Sequence, residues 1–154
     1  DDFIEYMKKI EHDFWHNKFG VYGQWREDWY KEYQRKGYFD LLTGFRCSGI
    51  MRRNEVVNYP VQGAAFHCLL KTFIEVDKIM QKEGWDSRLI GQIHDSILLD
   101  VHPDELEHVI ETVRRVATVE LPKMWKWIIV PLAVEVDVSP VDGSWADKQS
   151  YKEV

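Results

Sequence analysis

The sequence predicts an α+β fold: a small antiparallel sheet, centred on one hairpin, packed on long helices. Three observations carry that expectation. Apolar residues recur at helical spacing over several long stretches, two apolar runs are parted by only two residues, and no repeat or linker breaks the order of helices, hairpin, helix and strand. The chain of 154 residues is 45% hydrophobic and 14% aromatic, with nine glycines and five prolines. That composition excludes a disordered tail, a collagen-like repeat and a low-complexity linker, and it supplies a core without disulfide staples.

The elements follow in chain order. Residues 3–16 set Phe3, Ile4, Met7, Ile10 and Phe14 near helical spacing, with charges between them. Gly20 and Gly23 bracket a break, and residues 24–36 form a second amphipathic helix carrying Trp25, Trp29, Tyr30 and Tyr33. Gly37 and Gly44 enclose the short apolar stretch Tyr38–Leu42, which suits a strand or a turn of helix, and residues 45–54 read as irregular. Pro60 marks the start of a long helix from about Val61 to Lys82, with Ala65, Leu69, Phe73, Val76 and Met80 on one side and Gly84 at its end.

Residues 88–93 and 96–101 are two apolar strands with His94-Asp95 between them, the spacing of a β-hairpin. Pro103 opens a helix with Asp104, Glu105 and Glu107 early and Arg114-Arg115 late, which complements the helix dipole. Its apolar stripe is Leu106, Val109, Ile110, Val113, Val116 and Ala117. After Pro122 a third strand is expected over Val130–Val138, followed by a polar tail.

Lys plus Arg number 20 against 26 Asp plus Glu, a net charge of −6. A dedicated nucleic-acid coat would be basic, whereas an enzyme can confine its positive charge to one groove. Cys47 and Cys68 form no C-x-x-C pair, so a reducing, cytoplasmic setting is expected. The longest apolar run, Trp127–Val134, is interrupted by Pro131 and is too short to span a bilayer, so no membrane is expected as a partner. The chain opens Asp1-Asp2-Phe3 without an initiator methionine, which predicts a processed product or a piece of a longer protein.

Three apparent motifs are set aside. His12 and His16 lie at i and i+4, but Asp13 stands where zinc proteases place Glu and no third ligand is evident, so two surface histidines are the better reading. His94, Asp95 and Ser96 are consecutive and cannot chain into a hydrolytic triad. Gly20-Val21-Tyr22-Gly23 is too short for a phosphate loop. The hairpin holds the stronger signal. His-Asp is not the favoured chemistry for a two-residue turn, and an Asp raised on two apolar strands is a rigidly held carboxylate of the kind Mg²⁺ takes. The residues alone leave open that Asp95 merely tolerates turn geometry.

Gln92-Ile93-His94-Asp95-Ser96-Ile97-Leu98-Leu99 resembles motif C of family A DNA polymerases, the bacterial DNA polymerase I family, which usually reads Q-V-H-D-E before apolar residues. Asn58-Tyr59-Pro60-Val61-Gln62-Gly63-Ala64-Ala65 is similar to the N-x-P-x-Q-G-x-A-A segment opening a long palm helix. Val130-Pro131-Leu132-Ala133-Val134-Glu135-Val136 resembles the last palm strand, and Thr43-Gly44-Phe45-Arg46 looks like the family's G-R-R stretch. Ser96 departs from the family's Glu. His-Asp-Ser also occurs in phage-type single-subunit RNA polymerases, the alternative reading, and a non-catalytic palm-like module that binds nucleic acid or a partner is a third.

The resemblance implies residues 1–50 from the end of the fingers and residues 51–154 from the C-terminal part of the palm. It implies a catalytic, metal-binding Asp95, with His94 near the primer terminus. Asn58, Gln62 and Gln92 would reach the minor-groove side of the DNA, and Arg46 and Arg53, with Arg52, would touch phosphates. The implied cofactor is Mg²⁺ in a two-metal site, and the implied partners are primer–template DNA, dNTP and an N-terminal part carrying motifs A and B. No motif A or triphosphate-binding helix is found in the chain, so the isolated chain is expected to be inactive.

Overall fold

The computed structural model describes residues 2–151, which divide into two compact units with the boundary between Ala64 and Ala65. Helices dominate, and three two-stranded antiparallel sheets complete an α+β architecture.

The first unit begins with α1 (Asp2–His12), which buries none of its side chains, and passes through a π-helical turn at Asp13–Lys18. The chain bends at Phe19, and α2 runs over Gly20–Lys36. Gly23 therefore lies inside a helix and does not bracket the break. Its role is close approach, because a Cβ there would strike the backbone carbonyl of Trp15. Gly37, at φ 78°, ends α2 in the left-handed region, its N–H bonded to the Tyr33 carbonyl at 2.7 Å.

β1 (Tyr38–Asp40) settles the strand-or-helix alternative in favour of a strand. Its partner β2 (Arg46–Ser48) falls where the sequence predicts irregular chain, with Phe39 opposite Cys47. The pairing is held from beneath by a buried cluster of Tyr33, Phe39, Leu41 and Val56. The Tyr33 hydroxyl donates to the Gly49 carbonyl at 2.5 Å and accepts from the Met51 N–H at 2.9 Å, tying down the segment after β2.

α3 spans Arg53–Glu83, with Pro60 inside it. The expected start near Val61 is thus about two turns late. A proline inside a helix deprives the carbonyl four residues back of its donor. Here that acceptor is the carbonyl of Val56, and the indole N–H of Trp29 donates to it at 3.1 Å. The helix continues because a side chain replaces the missing bond.

In the second unit the remainder of α3 ends at Gly84, whose N–H returns to the Met80 carbonyl at 2.9 Å. β3 (Arg88–Ile93) and β4 (Ser96–Asp100) form the expected hairpin. Leu89 pairs with Leu99 and Gly91 with Leu98, so Ile90 is the extra residue of a bulge. Leu89 and Leu99 pack on a cluster of Val76, Met80, Trp85, Val109 and Val116.

After a 3₁₀ turn at Pro103–Glu105, α4 (Leu106–Arg115), a π-helical stretch at Val116–Glu120 and α5 (Leu121–Met124) follow. Val109, Ile110 and Val116 of the expected stripe are buried, and Leu121 joins them. The strand expected over Val130–Val138 shrinks to β5 (Asp137–Val138), paired with β6 (Gln149–Ser150). Burial still alternates from Pro131 to Val138, the mark of extended chain, but no ladder forms over 131–136 among the described residues. Alternation specifies which face is buried; a strand also needs a neighbour.

The base of the hairpin is closed by Glu105. Its carboxylate accepts from the Ser87 hydroxyl at 2.5 Å and from the backbone N–H groups of Asp86 and Ser87 at 3.0 and 2.9 Å. The Ser87 hydroxyl oxygen in turn accepts from the His102 N–H at 3.0 Å. These bonds, the Ser87 hydroxyl first, hold the Glu105 carboxyl down at about 2.

Two outcomes are expected. Trp85→Ala removes the largest ring of the cluster beneath the hairpin and should cost about 3–5 kcal/mol in chemical denaturation. Glu105 binds fewer protons folded than unfolded, so its contribution is complete above the ordinary carboxylate range and is lost as pH falls towards about 2. Glu105→Gln should lower the melting temperature at pH 6, and its gap from the parent protein should close as both are titrated to that acid limit.

Candidate functional site

In the second unit the hairpin presents His94 and Asp95 at its tip, both exposed, between the Ile93–Ser96 pair. His94 has φ +52°, a left-handed backbone uncommon outside glycine. The Gln92 side-chain amide donates to the His94 carbonyl and braces the turn from within. Part of the Gln92 donor capacity is therefore spent on holding the loop. The Asp95 carboxylate has no hydrogen-bond or ion-pair partner among the described residues.

One carboxylate on a braced turn suits a hard cation as a single ligand. No group of three or more His, Cys, Asp or Glu able to hold a metal occurs among the described residues. Asp100 is five residues from Asp95, roughly 16 Å along β4, and the Asp137 carboxylate is bound by Lys148 at 2.8 Å. His12 and His16 are exposed, their rings 4.4 Å apart, with no third ligand beside them.

In the first unit Asn58 and Gln62 stand on α3 four residues apart, both exposed. Asn54 lies a further four residues back. The three amides make one stripe, rising about 6 Å at each step, and none has a hydrogen-bond partner among the described residues. The arginines differ. Arg46 is clamped on Asp40 through two bonds of 2.7 and 2.9 Å, and its guanidinium lies 4.1 Å from the centre of the Tyr38 ring. That pairing holds the Asp40 carboxyl below the usual range. Arg53 is bonded to Glu27, and Arg52 to Glu55 at 3.1 Å.

Sequence reasoning missed a hollow of about 430 Å³ in this unit, lined by Trp15, Tyr22, Arg26, Asn54, Asn58 and Tyr59, together with Glu55 and Val57. The Arg26 guanidinium lies over the Trp15 ring, 3.9 Å from its centre. It is the one arginine of this unit without a carboxylate partner among the described residues. The signal was present as an i, i+4 spacing of Tyr22 to Arg26 and of Asn54 to Asn58, but aromatic residues at helical spacing also describe a core stripe.

A family model for DNA polymerase family A matches residues 8–147. The chain belongs to that family. DNA polymerase I of Aquifex aeolicus is 28% identical over 144 residues, which cover 92% of this chain and 24% of that protein. DNA polymerase I of Pseudomonas aeruginosa is 34% identical over 102 residues, 56% of this chain and 11% of that one. The chain therefore spans a quarter or less of the length of these relatives. Among solved structures, the POL domain of Pol1 from M. smegmatis, in complex with DNA primer-template and dNTP, superposes with a TM-score of 0.62 at 23% identity, over 71% of this chain and 21% of that one. That likeness confirms the fold.

The left-handed turn makes a direct test of the hairpin tip. His94→Val places a β-branched residue at φ +52° and should cost about 1–2 kcal/mol in urea unfolding. Asn tolerates that backbone, so His94→Asn should stay within about 0.5 kcal/mol of the parent.

Proposed function

We propose that this chain is the C-terminal part of the polymerising portion of a family A DNA polymerase, with residues 1–50 from the end of the fingers and 51–154 from the palm. The whole enzyme joins a primer 3′-hydroxyl to the α-phosphate of a dNTP under direction of a template strand. The observation that carries the reading is the family match over residues 8–147, within which Asp95 is an unpartnered, exposed carboxylate on a braced turn.

Asp95 fits the role of one ligand to Mg²⁺, and among the described residues no group of carboxylates holds the pair of ions about 4 Å apart that the reaction requires. Bound metal would activate the hydroxyl and stabilise the departing pyrophosphate. This chain's own residues hold and orient. His94 stands at the primer terminus, with Gln92 fixing the turn that carries it. Asn58 and Gln62 offer amides to the minor-groove acceptors that every base pair presents. Arg46 and Arg53 reach phosphates only by exchanging Asp40 and Glu27 for them. Motif A, motif B and their ligands come from an upstream part of the polymerase, in the cytoplasm of a bacterial or virus-infected cell.

The test supplies that upstream part as a separate chain and measures primer extension. The two chains together should extend, and this chain alone should not. Asp95→Asn should lower incorporation by several orders of magnitude with primer–template affinity little changed, because affinity rests mainly on phosphate contacts. Near-parental turnover by the variant, or extension by the isolated chain that Asp95→Asn abolishes, would overturn the reading.

A further inference from the structure

We propose that the hollow beside Trp15 binds an unpaired nucleobase of single-stranded DNA, an inference that rests on reading the chain as part of a DNA polymerase. Four rings form a ladder through the first unit. Successive centroids from Trp15 to Tyr22, Trp25 and Trp29 lie 5.9, 5.3 and 5.7 Å apart, with planes inclined by 34°, 18° and 25°. The inner end continues to the buried Phe39, 5.4 Å from Trp29. The outer end, at Trp15 and Tyr22, opens on the hollow.

The chemistry around that opening suits a base. Its volume of about 430 Å³ lies within the range of roughly 300–1,000 Å³ common to small-ligand sites. Aromatic walls accept the face of any base, so stacking there tolerates sequence. Asn54 and Asn58 line the same hollow with amides that both donate and accept, matching the mixed edge that a base presents. The Arg26 guanidinium, held over Trp15 and unpaired with acid among the described residues, is placed to meet the phosphate that accompanies the base.

A second hollow, of about 640 Å³, is lined by Lys18, Phe19, Val21, Tyr22 and Trp25 among others. Tyr22 lines both hollows, which together give room for two successive bases. The Asn54–Asn58–Gln62 stripe meets the first hollow at its two leading amides. A strand seated there would share Asn58 with the duplex minor groove and lie beside Gln62.

The experiment uses the intact chain and two labelled probes of equal length, an oligothymidylate and an abasic strand with the same phosphates. Fluorescence anisotropy should show the oligothymidylate binding about tenfold more tightly, the worth of one stacked base. Tyr22→Ala and Trp15→Ala should each bring oligothymidylate down to the abasic level while leaving abasic affinity unchanged. Trp15→Phe, which keeps a ring in the packing, should lose part of the preference and covers the case in which Trp15→Ala fails to fold.

Equal affinity of the parent chain for the two probes would overturn the inference, as would a Tyr22→Ala chain that keeps the full preference. Primer extension with the upstream part supplied separates the two readings. Extension without base preference removes the pocket alone, and base preference without extension leaves the pocket standing and removes the polymerase reading.

Discussion

The seating of Leu89 and Leu99 on Val76, Met80, Trp85, Val109 and Val116 is the constraint on which the second unit turns. A two-stranded hairpin is marginal by itself in water. Partly burying one leucine from each strand, each worth less than the roughly 1.5–3 kcal/mol of complete burial, fixes the strands to α3 and α4. The loop is then free to carry features that would otherwise unravel it: a left-handed histidine and an aspartate with no partner among the described residues. The bulge at Ile90 belongs to the same arrangement, since it lets Leu89 face Leu99 while Gly91 faces Leu98.

The first unit is governed by charge neutralisation. Of its arginines, Arg35, Arg46, Arg52 and Arg53 are each bound to a carboxylate, and Arg26 has no such partner among the described residues. Over residues 1–64 ten Lys and Arg meet ten Asp and Glu, so this unit carries no net charge and most of its arginine charge is spent in local pairs. In the proposed function, amides and rings would do much of the recognising.

Much of this architecture was legible in the residues. The hairpin was readable because two apolar runs with a two-residue gap have few other solutions, and the stripe of α4 because its period spans three turns. Pairing was the limit wherever a strand is too short to carry an apolar pattern of its own. β2 was missed because Cys47 finds Phe39 through a core that Tyr33 and Val56 complete. Val130–Val138 was overcalled because its alternation is real while its ladder is nearly absent. The hairpin half of the candidate site was visible as a motif. The aromatic hollow was not, because Trp15 and Tyr22 belong to separate helical segments and their meeting depends on the approach that Gly23 permits.

The bond from the Trp29 indole to the Val56 carbonyl has a bearing on how the molecule is made. Pro60 leaves the opening turns of α3 short of one internal bond, so they are poor helix until something outside them supplies a donor. That donor sits 27 positions earlier and leaves the ribosome first. A nascent chain therefore presents α2 with its indole already in place when the proline-bearing turn emerges. Assembly of this helix is ordered in time by the direction of synthesis, and a rearranged chain in which Trp29 followed Pro60 would have to wait for its template.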